Sequence, residues 1–496
     1  MTREDRNRIS VLAIVFAIAG FLGITNGSYL ITAMYIATVI IAVFIIKDKD
    51  IYNMLYAILL VSAFYDYALH VPGIRSIYMF HIVLGVFTLI SLYKVFKERN
   101  LLLSLDRKIL IIYGVWFSYA CLSIAWTLSR SLSIRYIAIY LMMFAFVVSM
   151  MIYNINKQRI HKTINLLLFL VSLIIVIAFI ETILGKQLPI RHYADDFIYY
   201  LPIDQQNLIN ARPMAFSFNP NNLAATLSLL CPLFFYTINK SKNIIIKTCC
   251  ILISILAFAL VAVTTSRTGF VAISSGVVAY AIYSIFNIRK VGLKGILCPI
   301  ILVISLFVTF NYSYMIMNVK STGSEMKNGL VDKMHALEDE EIQEGGEGSL
   351  SVRMTIIKDV LIKGTLQEKN YLGYGVGNVT QYIKNQGNTG NIYSPHCYAI
   401  EILGDFGVPG VILYGVYYLY LLIGNIIIGI KKKKIMCFAA ASGLIAFAPA
   451  SFGPSSITYV FSYWILMGFA VSCMQVYKNE NDSYRKTASM KEYRMV

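Results

Sequence analysis

Charged residues are scarce in this sequence, and the long apolar runs between them hold almost none. Only 14% of the 496 residues are Asp, Glu, Lys or Arg, whereas 58% are hydrophobic. A soluble globular domain carries about 25% charged residues, so this composition excludes one. Apolar runs of about 20 residues, the length that crosses a bilayer as a helix, recur along nearly the whole chain. The sequence therefore predicts a polytopic membrane protein.

Other features that the sequence lacks narrow the class further. It has no series of alternating segments of about ten residues, which excludes an outer-membrane β-barrel. Ionisable groups are missing near the middle of the apolar runs, with Asp66 and Glu181 close to the ends of theirs. This argues against an ion-coupled transporter, because such a protein keeps ionisable groups at the midplane. The eight cysteines include no CxxC pair, and we interpret them as small core residues.

The apolar runs predict an all-α fold with about fourteen spans. Basic clusters such as residues 431–434 occupy alternate loops, so by the positive-inside rule both termini are cytoplasmic. The first span lacks a small-residue cleavage site and is expected to be retained. We assign the net charge of +17 to this bias and to lipid headgroup contacts, and predict no nucleic-acid partner. The predicted spans lie near residues 9–25, 29–46, 51–69, 76–93, 109–127, 134–153, 164–184, 221–239, 244–263, 268–286, 293–312, 407–430, 435–452 and 456–476.

Two loops on the predicted outer side, 185–219 and 311–395, are too long to be simple connections. Apolar residues at helical spacing within 349–364 predict a helix at the membrane interface. We interpret the acidic segment 338–347 as a solvated surface loop. The chain then divides into an N-terminal transmembrane scaffold (1–184), transmembrane helices with an outer loop and arginine motifs (185–312), one large extracytoplasmic loop (313–395), a histidine motif with the C-terminal transmembrane helices (396–476) and a cytoplasmic tail (477–496).

Arginine and histidine side chains mark the candidate site at the predicted outer face. Three arginines and one histidine lie at span ends or on outer loops, namely Arg212, Arg267, Arg353 and His396. A lone arginine at a span end is most often a headgroup anchor, and a lone histidine after proline is most often a helix cap. Arg267, however, lies on the less basic side, where an anchor is disfavoured. The Asn-Pro-Asn-Asn sequence after Arg212 also breaks a helix at membrane depth, which requires a polar cavity.

Together these side chains would suit a diphosphate. Arginine is permanently charged, and its planar fork of donors matches phosphate oxygens. We predict that the three arginines bind a pyrophosphate leaving group and that His396 accepts a proton from an attacking hydroxyl. Because the arginines would neutralise charge on the departing phosphate, no metal and no other cofactor is expected. Four further residues are predicted to support the site, namely Asn219, Asn221, Glu401 and Asp405.

The sequence Gly373-Tyr374-Gly375-Val376-Gly377 is similar to two functional motifs but matches neither. A phosphate-binding loop continues into Lys-Ser or Lys-Thr, which is missing here. A potassium-channel filter has Thr-Val where this chain has Tyr371-Leu372, and no apolar pore helix precedes it. We predict instead a flexible turn that returns the outer loop towards His396.

Taken in order, the motifs of roughly the last 290 residues resemble the O-antigen polymerase and O-antigen ligase superfamily. The series is Arg212 with Phe218-Asn219-Pro220-Asn221, Ser266-Arg267, Arg353 with the Gly-Tyr-Gly-Val-Gly sequence, and His396 with Leu403 and Gly407-Val408-Pro409-Gly410. The resemblance implies a metal-independent, GT-C-like glycosyltransferase of the bacterial plasma (inner) membrane, with an extracytoplasmic active site. In such an active site, His396 would activate the acceptor hydroxyl and Arg212 and Arg267 would bind the donor pyrophosphate. Arg353 would be a supporting contact from the loop.

The resemblance also implies the substrates and partners. The donor would be a glycan on undecaprenyl pyrophosphate and the acceptor a second glycan, with membrane lipids, a chain-length regulator and a flippase as partners. A polymerase would join repeat units into O-antigen, capsule, exopolysaccharide or a teichuronic-type polymer, whereas a ligase would move the finished chain to lipid A core or another acceptor. We favour the polymerase. The competing classes are a lipid-linked oligosaccharide flippase, disfavoured by the lack of midplane charge, and a structural or sensor protein.

Overall fold

The computed structural model describes residues 3–47, 50–287, 293–316, 330–331, 334 and 349–478. Almost all regular structure in these residues is helical. A short antiparallel pair of strands, β1 (His70–Val71) and β2 (Ile74–Tyr78), is the departure from the all-α prediction. The α-helices of the described ranges are α1 (Arg3–Thr25), α2 (Tyr29–Ile46), α3 (Ile51–Phe64), α4 (Met79–Lys97), α5 (Arg99–Ser104), α6 (Arg107–Leu122), α7 (Arg130–Tyr153), α8 (Lys157–Leu184), α9 (Ile203–Ala211), α10 (Pro220–Leu230), α11 (Leu233–Lys240), α12 (Ile244–Val263), α13 (Arg267–Phe286), α14 (Leu293–Tyr312), α15 (Ser349–Ile357), α16 (Val379–Gln386), α17 (Tyr398–Lys431), α18 (Ile435–Ala450) and α19 (Phe461–Lys478).

Every predicted span overlaps a helix. Among the described residues, ten helical segments are long and apolar enough to cross a membrane, and three shorter apolar helices accompany them. The prediction of an all-α polytopic membrane protein is therefore confirmed, while the count of about fourteen crossings stays a prediction. Two spans differ in detail from the sequence-based boundaries. The span at 51–69 ends as a helix at Phe64, before the strand pair, and the span at 221–239 is divided into α10 and α11.

Side-chain caps define where several of these helices begin. Asp50 accepts from the Tyr52 N–H at the start of α3, and Asp106 does the same for Lys108 at the start of α6. Ser266 accepts from the Gly269 N–H at the start of α13. Because the first N–H groups of a helix have no partner within it, each cap satisfies a donor that would otherwise need water.

The core joins helices from both ends of the chain. One hydrophobic cluster extends from Val15 on α1 to Tyr477 on α19. Helices α13 and α17 both pack against α18, and α7 packs against α19. Large apolar side chains also cover the outside of the bundle, with Phe44 and Phe307 among the most exposed. Such a surface is rare on soluble monomers and suits contact with lipid tails.

The helix that follows the histidine motif is broken at Gly407. The backbone there has φ 64° and ψ −159°, which divides α17 into a short buried part from Tyr398 to Phe406 and a long apolar part. A Cβ atom at Gly407 would lie 2.0 Å from the Tyr371 carbonyl oxygen, so a side chain does not fit. The break thus falls at the start of the predicted span 407–430, and the helix itself starts nine residues before that span.

The described part of the large loop packs onto the start of α17 as a second cluster. Val352, Ile356 and Val360 contact residues of α16 and of the first turns of α17. Helix α15 continues as a π-helix over Lys358–Gln367. The helix predicted within 349–364 is thus present, and its placement at the membrane interface stays a prediction. The acidic segment 338–347 lies outside the described residues.

Candidate active site

His396 presents a neutral imidazole with one nitrogen available. Its backbone adopts the left-handed conformation, φ 49°, and its N–H donates to the Ser455 carbonyl at 3.3 Å. The imidazole bonds to the backbone of Gly453 and Pro454, whereas Nδ1 is buried without a partner. Burial and then the charge of Arg353 lower the His396 pKa to about 4. We assign the proton to Nε2, facing the carbonyls, which leaves the Nδ1 lone pair free to accept another proton.

Arg353 brings a buried positive charge to this histidine. Burial, followed by the neighbouring Arg267 guanidinium, lowers the pKa of Arg353 below its usual range. Within the described chain, no salt bridge joins Arg353 to a carboxylate. Arg353 therefore lies within range of a second positive charge and of a neutral imidazole, without a carboxylate of its own among the described residues. Such an arrangement is costly unless an anion compensates it.

The connection between α18 and α19 joins this cluster to two helix starts. A Cβ atom at Gly453 would lie 2.9 Å from Thr268 Oγ1 and 3.8 Å from the Asn221 Cβ. Thr268 follows Arg267 on α13, and Asn221 lies in the first turn of α10. The backbone that holds the His396 imidazole therefore contacts both of the other predicted motifs.

Arg212 occupies a separate buried position ahead of α10. Burial lowers its pKa, and a hydrogen bond to the Tyr193 side chain opposes that shift. Its Nε atom is buried without a partner, and no salt bridge of the described residues includes it. Its carbonyl accepts from Gln187 Nε2 at 3.0 Å. The structure thus places Arg267 and His396 within electrostatic range of Arg353, while the electrostatic partner of Arg212 is Tyr193.

The loop that carries Arg212 is held by a buried carboxylate. Glu181 accepts from the N–H groups of Leu188, Met214 and Ala215 at 2.7–2.9 Å. Asn219 then caps α10 by accepting from the Asn222 N–H at 2.8 Å. A small cavity lies beside this break, and its lining combines polar side chains such as Asp66 and Asn222 with apolar ones such as Phe216.

Two acids of α17 bind backbone and hydroxyl groups instead of arginines. Glu401 accepts from the Ser456 and Thr458 hydroxyls and from the Ile457 N–H, which fixes the connection that contacts His396. Asp405 accepts from the N–H groups of Gly377 and Val379 at 2.7 and 2.8 Å. These two acids therefore act by positioning two segments, the connection at residues 456–458 and the Gly-rich turn that ends at Gly377.

The Gly-Tyr-Gly-Val-Gly segment is a fixed turn, so the expectation of flexibility is wrong. Gly373, Gly375 and Gly377 all have positive φ, and Cβ atoms there would lie within 2.3–2.6 Å of neighbouring atoms. The Tyr374 N–H donates to the Gly404 carbonyl at 2.7 Å, and the Val376 N–H donates to Ser123 Oγ at 3.1 Å. Buried hydrogen bonds on both sides leave the segment little freedom.

Two comparisons with known proteins relate this chain to polysaccharide biosynthesis. Residues 252–415 match the model of a family described as O-antigen ligase, a range that includes Arg267, Arg353 and His396. The chain is also 23% identical over 383 residues to the teichuronic acid biosynthesis protein TuaE of Bacillus subtilis (strain 168), covering 74% of this chain and 72% of that protein. These two findings support the O-antigen ligase and polymerase superfamily, and with the apolar helices they support a multi-pass membrane polysaccharide polymerase or ligase.

Sequence reasoning missed two parts of this candidate site. Tyr193 has no motif around it and lies 19 residues before the arginine that it bonds. The Gly453-Pro454 carbonyls contact His396 from a connection about 57 residues later in the chain. The run Gly453-Pro454-Ser455-Ser456 between two spans is the one local signal for the second contact, because such residues favour turns that expose carbonyls.

We expect Tyr193→Phe to lower kcat/KM for the lipid-linked donor by about tenfold, because a hydrogen bond to a charged group is worth roughly 1.5–3 kcal/mol. The change removes only the hydroxyl that bonds Arg212. Tyr199→Phe is the matched control, since Tyr199 is exposed on the same loop. Equal donor kinetics for the two variants, measured on purified protein, would show that Tyr193 does not position Arg212.

Proposed function

We propose that this protein is a glycosyltransferase that polymerises lipid-linked oligosaccharide repeat units at the outer face of a bacterial plasma membrane. The observation that carries the proposal is the group formed by Arg267, Arg353 and His396. Within the described residues, Arg353 has no carboxylate partner and the neighbouring imidazole is neutral with one nitrogen open. This combination suits an anionic leaving group on one side and a hydroxyl nucleophile on the other.

In the proposed reaction, His396 Nδ1 accepts the proton of an acceptor hydroxyl while that oxygen attacks the anomeric carbon of the donor sugar. The bond between the anomeric carbon and the pyrophosphate oxygen breaks, and the electron pair leaves with the lipid diphosphate. Arg267 and Arg353 would stabilise this charge, with Arg212 as a third contact. Positioned arginines can supply the stabilisation that a metal supplies elsewhere, so we expect full activity in the presence of a chelator.

Binding of the donor would also raise the pKa of His396, the proposed base. Positive charge from Arg353 contributes to the low pKa of His396. An anion bound to Arg353 would offset that charge, and the imidazole would then bind a proton more strongly. Proton acceptance is therefore favoured once the donor is in place.

Two observations bear on polymerase against ligase. The matched family is described as O-antigen ligase, while the relative from Bacillus subtilis is described by teichuronic acid biosynthesis. We propose the polymerase, with a teichuronic-type polymer as the product class and undecaprenyl pyrophosphate as the carrier. Both termini would be cytoplasmic, and a flippase that delivers the donor and a chain-length regulator would be partners.

A reconstituted assay separates the alternatives. Purified protein in liposomes would receive lipid-linked repeat units as the sole substrate, and the products would be resolved by length and by carrier. We expect a ladder of longer chains still attached to the lipid carrier, with or without EDTA. Products that form only after a separate glycan or lipid acceptor is added would identify a ligase. Movement of intact substrate across the bilayer without new linkages would identify a flippase.

A further inference from the structure

A groove of about 640 Å³ opens at the end of the bundle opposite the candidate active site. Helix α4 relates the two ends. It begins next to Tyr78, whose ring contacts Tyr67, and Tyr67 in turn contacts Phe218 beside the arginine loop. Its 19 residues then extend for about 28 Å at 1.5 Å per residue. The groove lies at the far end of α4, against α5 and the connection that contains Ile155. Its size is within the usual range for small-molecule sites.

Cations outnumber acids among the residues that line this groove. Among the described residues, Lys97 and Arg99 contribute to the wall, and Glu98 is the one acid in it. None of the three takes part in a salt bridge among the described residues. The nearby Lys94, by contrast, is paired with Asp50 at 3.9 Å. The groove therefore retains a net positive charge.

The rim of the groove is apolar and exposed. Phe96, which lines the groove, is 79% exposed, and Leu102 and Leu103, which lie between the lining residues Leu101 and Ser104 on α5, are 51% and 62% exposed. On a multi-pass membrane protein, such side chains next to cations are typical of a short helix at the bilayer surface, with its apolar residues among the acyl chains. An inorganic anion would contact Lys97 and Arg99 but would leave the apolar rim exposed to water.

We propose that the groove binds the headgroup of an anionic phospholipid. The lipid phosphate would contact Lys97 and Arg99, and the side chains of Asn100 and Ser104, which also line the groove, would bind headgroup hydroxyls. The acyl chains would lie against the apolar rim. The site is distinct from the glycan site, so the proposal stands independently of which reaction the protein catalyses.

Native mass spectrometry of the purified full-length chain tests this with phosphatidylglycerol and phosphatidylcholine as probes. We expect the double variant Lys97→Gln with Arg99→Gln to weaken phosphatidylglycerol binding by roughly tenfold or more, since each surface cation contributes about a fivefold preference for anionic lipid. The matched control is Lys431→Gln with Lys433→Gln, which removes two exposed lysines from another connection. Thermal unfolding midpoints of the two variants should agree.

Three results would overturn the proposal. Unchanged phosphatidylglycerol binding in the Lys97/Arg99 variant would show that the lipid does not bind in the groove. An equal loss in the Lys431/Lys433 control would show diffuse attraction to all basic loops. Displacement of the lipid by glycerol 3-phosphate at the same concentration would show a site for free phosphate, because the apolar rim would then add nothing.

Discussion

Replacing His396 with Gln is expected to lower kcat by about 10²–10⁴-fold, the usual contribution of a positioned general base. A glutamine amide can still donate to the Gly453 and Pro454 carbonyls that now hold the imidazole. It cannot accept a proton, so the variant separates chemistry from packing. In cells, the ladder of polysaccharide lengths should shorten to single repeat units while the protein remains in the membrane.

The matched control is His161→Ala. His161 is an exposed histidine on α8 whose ring bonds Tyr236, and it takes no part in the candidate site. We expect wild-type ladders and rates from it. A His396→Gln enzyme with more than a tenth of wild-type kcat would refute proton transfer to this imidazole, whatever the arginines bind.

The pH dependence of the wild-type enzyme tests the role of His396 in a second way. Burial and Arg353 lower the pKa of His396 to about 4, so the neutral base is present at pH 7 and protonates only as the pH falls towards 4. In the free enzyme, kcat/KM should therefore stay level from pH 8 to about 5 and then fall. Because bound donor would raise this pKa, kcat should begin to fall at a higher pH than kcat/KM. A kcat/KM profile that declines near pH 6.5 would mean that the imidazole is solvated.

The bundle could be predicted from sequence because the bilayer imposes a strong and local rule. A crossing segment must satisfy its own backbone and present apolar side chains, and both requirements appear in a window of about 20 residues. That is why each predicted span overlaps a helix. Arg267, Arg353 and His396 could be selected for a related reason. Basic and titratable groups are few at the span ends and on the helical part of the loop at the predicted outer side, so these three stand out.

The supports of the site could not be predicted in this way. Glu401 and Asp405 were predicted to support the site, but their partners were not predicted, because each carboxylate accepts from a segment 26 to 57 residues distant in the chain. Such bonds leave no periodic pattern, because the acceptor is one side chain and the donors are backbone or hydroxyl groups. The same reasoning explains the Gly-rich turn. Its three glycines indicated flexibility, but positive φ and the absence of Cβ atoms are what allow close packing there.

Asp405→Ala is expected to destabilise the protein by about 2–6 kcal/mol. The carboxylate is 1% exposed and is the acceptor for two buried N–H groups, those of Gly377 and Val379. Leaving each donor unsatisfied costs roughly 1–3 kcal/mol, which is a large part of the 5–15 kcal/mol by which proteins are usually stable. Asp405→Asn should be nearly as harmful, because its amide nitrogen would face one of these donors.

Thermal unfolding of purified protein measures this effect, with Asp196→Ala as the control. Asp196 forms an exposed ion pair with Arg191, its side chain is 75% exposed, and its loss should cost less than about 1 kcal/mol. The comparison with His396→Gln is informative, because that variant should lose activity at an unchanged unfolding midpoint, whereas Asp405→Ala should lose both. An Asp405→Ala protein that unfolds like wild type and yet makes no polymer would place Asp405 in the chemistry. In that case the bonds from Asp405 to the Gly-rich turn would not be what stabilises the protein.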